Sequence, residues 1–99
     1  SWKTLYSSLL LSEEIAEIAS VFNICPNSYF DLDLPENSPM TPIVIKGKNI
    51  IIQCGDHGHS SDNCIISGGF SHFQLAGLAN NITFTGLTML SSKASSIIG

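Results

Sequence analysis

The feature that most constrains this chain of 99 residues is an internal repeat in its C-terminal two-thirds. Residues 49–52 (NIII) can be laid over residues 81–84 (NITF) with an offset of 32. Repeats of 20 to 50 residues that contain short β-rich runs are typical of solenoids, in which each repeat packs only on its neighbours. The repeat therefore predicts a β-solenoid.

Other runs support the repeat. The same offset places Ile43 over Leu75 and residues 65–66 over residues 97–98. A partial, earlier copy is obtained by laying residues 22–25 (FNIC) over residues 51–54 (IIQC). Three short strands would then recur in one register, which predicts about two to three rungs of a mainly β, parallel β-helix.

Stacked rungs lie about 4.8 Å apart, so equivalent side chains meet in neighbouring rungs. We expect Ile50 over Ile82 inside the coil, and Asn49 over Asn81 as an asparagine ladder at a corner. The alternative is an antiparallel sandwich or meander with a leading helix. The chain has no Asn-Gly or Asp-Gly pair for a two-residue hairpin turn, which disfavours that alternative.

The first third of the chain has helical periodicity. We expect an amphipathic capping helix that begins after Ser12 as N-cap and ends before Pro26, with one apolar face formed by Leu11, Ile15, Ile18, Ala19 and Phe22. Trp2, Leu5, Tyr6 and Leu9 also have helical spacing, so a longer or second helix fits the pattern. The predicted organisation is a helical cap at 1–21 and β-helix rungs at 22–99.

Several polar residues have the types that carry chemistry. Residues 29–34 alternate, which predicts a strand with Asp31 and Asp33 as paired outward carboxylates that could bind Ca²⁺ or act as acid and base. The simpler interpretation is the solvated side of a strand. An outward hydroxyl row is predicted from Thr83, Thr85 and Thr88.

The polar loop 56–62 contains His57, His59 and two aspartates, a plausible set of metal ligands. The spacing matches no established metal site, so we expect a solvated corner loop and no bound metal. We expect His72 to be a turn residue and not a base.

Three cysteines allow one internal disulfide. Cys54–Cys64 is favoured because it would close the polar loop, contributing about 2.5–3 kcal/mol. Cys25–Cys54 is the competitor, and in the favoured pairing Cys25 is a buried thiol or pairs outside this segment. A disulfide predicts an extracellular or cell-surface protein. Asn81 also begins a glycosylation sequon, but a buried ladder asparagine cannot carry a glycan, so the ladder is favoured.

Composition limits the partners. Only 12% of residues are charged, and the net charge is −4. Because the chain has only four Lys and Arg residues, it cannot neutralise a run of phosphates, and we do not expect nucleic acid as a partner. No apolar run reaches the roughly 18–20 residues of a membrane span. The content of 43% hydrophobic residues predicts strands buried on both faces, or an end that more of the same chain covers. We expect a fragment truncated at its C-terminus.

Four segments carry a resemblance to a known group: residues 22–27 (FNICPN), 49–55 (NIIIQCG), 63–69 (NCIISGG) and 81–88 (NITFTGLT). Over roughly residues 12–99 the chain resembles the pectin-lyase-like right-handed parallel β-helix superfamily, including secreted proteins of algal type. The resemblance implies a short helix that caps the coil. The superfamily includes pectate and pectin lyases, pectinesterases, polygalacturonases and non-catalytic members.

No catalytic cluster of these enzymes matches a position in this chain, so the resemblance implies no catalytic residue, cofactor or metal ligand here. The expected function is the N-terminal part of a secreted or surface β-helix, a non-catalytic scaffold or a surface that binds polysaccharide or protein. The alternative is a polysaccharide lyase, hydrolase or esterase whose site lies on later rungs. The expected partners are cell-wall carbohydrate and the remainder of the protein's own β-helix.

Overall fold

A computed structural model describes residues 1–11, 20–77 and 79–99. Within these ranges one α-helix precedes nine short β-strands, with 3₁₀ turns at Ser38–Met40 and Ser60–Asp62. The elements are α1 (Trp2–Leu11), β1 (Ser20–Ile24), β2 (Tyr29–Asp31), β3 (Ile43–Ile45), β4 (Lys48–Cys54), β5 (Cys64–Ser67), β6 (Phe73–Leu75), β7 (Asn80–Thr85), β8 (Leu87–Leu90) and β9 (Ile97–Ile98).

Each of the strands β1 to β6 pairs in parallel with the strand three places after it. The result is three sheets of three strands, in the orders β1-β4-β7, β2-β5-β8 and β3-β6-β9, here called sheets 1, 2 and 3. The chain passes through the three sheets in the same order three times, and each pass (β1–β3, β4–β6, β7–β9) is called a tier. The prediction of a mainly β fold built from parallel strands is confirmed.

The repeat predicted the register of sheet 1 between its second and third tiers. Ile50 pairs with Ile82 and Ile52 with Phe84, as the offset of 32 requires. The partial copy in the first tier is displaced by one residue from the prediction, because Phe22 pairs with Ile52 and not with Ile51.

The predicted registers of the other two sheets are wrong. Ile43 pairs with Phe73 and not with Leu75. Residues 65–66 pair with residues 88–89 of β8, a strand that the repeat did not predict, and Ile97 belongs to sheet 3. The physical reason is unequal corners. In sheet 2, residues 55–63 separate β4 from β5, whereas Gly86 alone separates β7 from β8. In sheet 3, β3 ends at Ile45 and β4 begins at Lys48, whereas β6 ends at Leu75 and β7 begins only at Asn80.

Inward side chains of the second tier form the centre of the core. Alternation along each strand sends every second side chain inward, and the tiers above and below cover it. In the third tier the equivalent side chains are only partly buried, as at Ile82, Phe84, Leu87 and Met89. Full burial is reached in the second tier at Ile50, Ile52, Cys54, Cys64, Ile66 and Phe73, and in strand β3 of the first tier at Ile43 and Ile45.

Helix α1 packs against the first tier near β3 and the Ser38–Met40 turn. The Trp2 ring is buried against Phe30 and Phe73, with ring centroids 5.6 Å apart in both pairs, and its Nε1 donates to the Met40 carbonyl at 3.0 Å. Leu5 and Leu9 add to the same buried cluster. The bonded indole N–H allows a tryptophan to be fully buried without an orphan donor.

The additional helix that the spacing of Trp2, Leu5 and Leu9 allowed is therefore present as α1. The principal predicted helix, which begins after Ser12, falls mostly on residues 12–19, which lie outside the described residues. Its last turn is wrong, because Ser20–Ile24 is strand β1 and Phe22 pairs with β4. Val21, Phe22 and Asn23 alternate between outward and inward positions, a period of two that the helical interpretation overlooked.

Candidate functional site

Asp31 and Asp33 do not form an outward carboxylate pair. Strand β2 ends at Asp31, whose Oδ1 accepts the Asp33 backbone N–H at 3.0 Å. The Asp33 Oδ1 accepts the Gly69 N–H of the next tier at 2.9 Å. The predicted strand 29–34 is therefore too long, because aspartate readily closes a turn through its own carboxylate. Both carboxylates hold the corner after β2.

The predicted disulfide is confirmed: Cys54 and Cys64 are joined, with Cα atoms 5.7 Å apart, and both are buried. Cys25 is a free, exposed thiol, so the expectation of a buried thiol is wrong. The cause is the one-residue shift in register, which places Ile24 and not Cys25 opposite Cys54. The Cys64 sulfur lies 3.4 Å from the Cys25 carbonyl oxygen, a contact without a hydrogen bond because a disulfide sulfur carries no proton.

The loop closed by this disulfide lies against polar side chains from all three strands of sheet 1. Asn23 donates to the Asp56 carboxylate at 3.3 Å, and Gln53 donates to the Asp56 carbonyl at 3.0 Å. Thr85 donates to the Gly58 carbonyl at 3.3 Å. These three residues stand in one register row, so every tier contributes one hydrogen bond to the loop.

The predicted threonine row and the two loop histidines can also be placed. The threonines do not form one row, because Thr83 and Thr85 lie on sheet 1 and Thr88 lies on sheet 2. His57 and His59 are exposed, with ring centroids 5.9 Å apart. Across residues 1–11, 20–77 and 79–99, no three His, Cys, Asp or Glu side chains are grouped so that they could hold a metal ion.

Asn49 and Asn81 are stacked in neighbouring tiers. Both have left-handed backbone, with φ of 56°, and the Asn81 amide donates to the Asn49 side-chain oxygen at 2.8 Å. Asparagine tolerates this conformation better than other residues with a side chain. Asn81 is exposed, so the expectation that the ladder asparagine is buried is wrong. Burial therefore does not argue against a glycan at the Asn81 sequon, which stays a prediction.

Sequence reasoning missed a second pair of the same kind. Asn27 and Asn63 are left-handed, with φ of 60° and 57°, and the Asn63 amide approaches the Asn27 side-chain oxygen at 3.5 Å. The position of each asparagine just before a strand of sheet 2 could have indicated this pair. Asparagine pairs therefore occur at the starts of two sheets.

The outward face of sheet 2 places an exposed aromatic ring in the same register row as a hydroxyl group. Strands about 4.8 Å apart carry a row of equivalent side chains across roughly 10 Å. Tyr29 is 61% exposed and Thr88 is exposed, with Ile65 between them. The face consists of two register rows, Tyr29–Ile65–Thr88 and Asp31–Ser67–Leu90, and is called the Tyr29 face.

Comparison with known proteins found no family model that matches the chain, and no curated protein or solved structure that matches it significantly. In the described part of the chain, no helix combines the length and the apolar character that crossing a membrane requires.

Proposed function

We propose that this chain forms the first coils of a right-handed parallel β-helix of the pectin-lyase-like superfamily, in a secreted or cell-surface protein. The proposed role is a non-catalytic scaffold that binds polysaccharide on the Tyr29 face. The observation that carries the proposal is the exposed tyrosine in a row with a hydroxyl on a parallel sheet.

The pairing of every third strand supports the β-helix. Three tiers that visit three sheets in constant order require crossover connections between parallel strands, and such connections are right-handed in about 98% of cases. The asparagine pair Asn49–Asn81 is the one that the repeat predicts. The packing of α1 on the first tier through the buried Trp2 supports a capping helix, although at other residues than those to which the resemblance assigned it. The Cys54–Cys64 disulfide favours an oxidising compartment.

The partly buried third tier supports a further partner, the remainder of the β-helix. Its inward side chains Ile82, Phe84 and Met89 are half-covered, although their counterparts in the second tier are fully buried. Strand β7 also has no charged residue, the usual protection of a free sheet edge. Strands stacked on β7, β8 and β9 would bury these groups.

Polysaccharide fits the Tyr29 face because a sugar ring has an apolar face and a polar rim. The Tyr29 ring can stack on the apolar face, while Ser67, Thr88 and Asp31 offer hydrogen-bonding groups. A row of three strands spans about 10 Å, which is sufficient for two sugar units. The ligand would therefore be a chain lying across the strands.

Charge favours a neutral polysaccharide over an anionic one. The chain has a net charge of −4, and the Tyr29 face contains Asp31 with Asp33 in the adjoining corner. A polyuronate would bring further carboxylates to these groups, and like charges brought together disfavour binding. We therefore expect a soluble neutral glucan or mannan to bind more tightly than polygalacturonate.

The experiment compares Tyr29→Ala with Val21→Ala by affinity electrophoresis and calorimetry on neutral glucan, neutral mannan and polygalacturonate. Val21 is a matched control, because it is 51% exposed and belongs to the same tier but lies on sheet 1. Loss of one stacking ring should weaken binding by about 1 kcal/mol, roughly fivefold. Val21→Ala should bind as the unsubstituted protein does.

Equal binding by both variants, or binding to none of the three polysaccharides, would overturn the proposed surface. The enzymatic alternative, a lyase, hydrolase or esterase with its site on later coils, has a different outcome. The full-length protein would then release new reducing ends, unsaturated products or methanol from its polysaccharide, whereas a scaffold leaves the polymer intact.

A further inference from the structure

His72 occupies an unusual position for a titratable residue. It lies at a bend just before β6, in the corner that joins sheets 2 and 3 of the second tier, and its side chain is completely buried. Its Nε2 is 3.0 Å from the Gly68 carbonyl oxygen, so the neutral ring donates its proton there. Its Nδ1 is buried and has no hydrogen-bond partner.

The backbone of the same residue joins all three tiers. The His72 carbonyl accepts the N–H of Ile43 in the first tier at 3.1 Å. The N–H groups of His72 and Phe73 both donate to the Ser96 carbonyl of the third tier, at 2.8 and 3.0 Å. A change at this imidazole therefore acts at the connection between neighbouring tiers.

The third tier meets the second tier near His72 through a short corner and a two-residue strand. Residues 91–96, here called the third corner, connect β8 to the two-residue strand β9. Apart from the two bonds to Ser96, the third corner is joined to the second tier by Lys93 N–H on the Gly69 carbonyl and Ala94 N–H on the Phe70 carbonyl. In contrast, β7 pairs with β4 over most of its six residues.

We propose that His72 is a pH-sensitive latch, and that its protonation in mildly acidic solution releases the third corner and β9 from the second tier. Sheets 1 and 2 keep their pairing when the latch opens. The device is independent of any polysaccharide ligand.

The burial of His72 determines whether protonation favours the closed or the open form of the corner. Desolvation lowers the pKa of His72 below the ordinary value of 6.5, and this outweighs the carbonyls of Gly68 and Leu90, which favour the proton. A charged ring is therefore poorly accommodated when the corner is closed and well solvated when it is open. Because the closed form has the lower pKa, its stabilisation is complete at neutral pH and is lost as the pH falls through 6.5.

No neighbouring charge compensates for a protonated ring. The other ionisable groups on the corners packed around His72 are Asp31, Asp33 and Glu36 in the first tier and Lys93 in the third. The Asp33 carboxylate is bonded to the Gly69 N–H, and Lys93 is exposed. In the part of the chain that the structure describes, none of these groups forms an ion pair with the imidazole.

Amide hydrogen exchange followed by NMR, corrected for intrinsic exchange rates, tests the latch at pH 7.5 and pH 5.5. If only the open form binds the proton, the protection of the corner amides falls by about tenfold between these pH values. The reporting amides are those of His72, Phe73, Lys93 and Ala94, and the reference amides are those of Asn27 and Gly55, which are bonded in another corner. Protection of the reference amides should change by less than twofold.

His72→Gln removes the titration while keeping a side-chain donor for Gly68, so its corner protection should be independent of pH. His57→Gln and His59→Gln are matched controls with exposed rings and should behave as the unsubstituted protein does. The latch is overturned if corner protection stays constant in the unsubstituted protein, or falls equally in His72→Gln. If His72→Gln does not fold, the ring of His72 is titrated directly by NMR in the unsubstituted protein, and a normal pKa of about 6.5 with protected corner amides also overturns it.

Discussion

Gly86 lies directly against the backbone of Gly58: a Cβ atom added to Gly86 would be 2.6 Å from the Gly58 carbonyl oxygen. Gly86 is also the single residue that turns the chain from β7 into β8, with a φ of 75°. The close approach lets the disulfide-closed loop sit on the third tier, where Thr85 bonds to Gly58. A glycine is therefore required at Gly86 for both space and backbone conformation.

Gly86→Ala should lower the free energy of unfolding by about 2–4 kcal/mol, the sum of a left-handed alanine and an overpacked backbone contact. Gly77→Ala is a matched control, because Gly77 also has positive φ (61°) but the nearest atom to its added Cβ is 3.9 Å away. Gly77→Ala should lower the free energy of unfolding by only about 1 kcal/mol. Urea unfolding measures both, and equal losses would contradict the role of the Gly58 contact.

The Gly86 turn also explains how much of the fold could be predicted. Residues 49–52 and 81–84 share a pattern that begins with asparagine, so the register of sheet 1 between β4 and β7 was evident from the sequence, whereas the register between β1 and β4 was displaced by one residue. Sheet 2 was not, because the turn before β8 is Gly86 alone while a disulfide loop precedes β5. The length of each corner depends on tertiary contacts, and these contacts leave no periodic pattern in the sequence from which the corner could be predicted.

The same distinction applies to the candidate sites. The Cys54–Cys64 disulfide could be predicted because it closes a polar loop within a short stretch of chain. The burial of His72 could not, since it depends on Ser96 from the next tier covering the bend. The Tyr29 face also required the structure, because Thr88 reaches the register of Tyr29 only through the unpredicted strand β8.

Substitutions of Trp2 should distinguish how much its packing and its hydrogen bond each contribute to the stability of helix α1. Trp2→Ala leaves a void between Phe30 and Phe73 and should cost about 3–5 kcal/mol, as for other buried aromatic residues. Trp2→Phe keeps a ring but removes the bond to Met40, and some packing volume, and should cost about 1–2 kcal/mol. Thermal unfolding followed by circular dichroism measures both; a Trp2→Ala loss below 1 kcal/mol would show that α1 is not part of the core.

Asn81 should respond differently to glycine and to alanine. Asn81→Gly removes the amide bond to Asn49 but tolerates a φ of 56°, so it should cost about 1 kcal/mol or less. Asn81→Ala loses the bond and places an alanine in the left-handed region, adding about 1 kcal/mol. Chemical denaturation compares the two, and identical losses would mean that backbone conformation does not select asparagine here.

Opening the disulfide should destabilise the loop and its contacts with sheet 1. Cys54→Ser with Cys64→Ser should lower the free energy of unfolding by about 2.5–3 kcal/mol, because a loop with a sequence separation of 10 gains entropy mainly in the unfolded chain. Cys25→Ser is the control and should change stability by less than about 0.5 kcal/mol, because that thiol is exposed and unpaired. A thiol assay on the folded, oxidised chain should find one reactive thiol. Three reactive thiols, or a loss in Cys25→Ser equal to that of the double variant, would contradict the Cys54–Cys64 pairing.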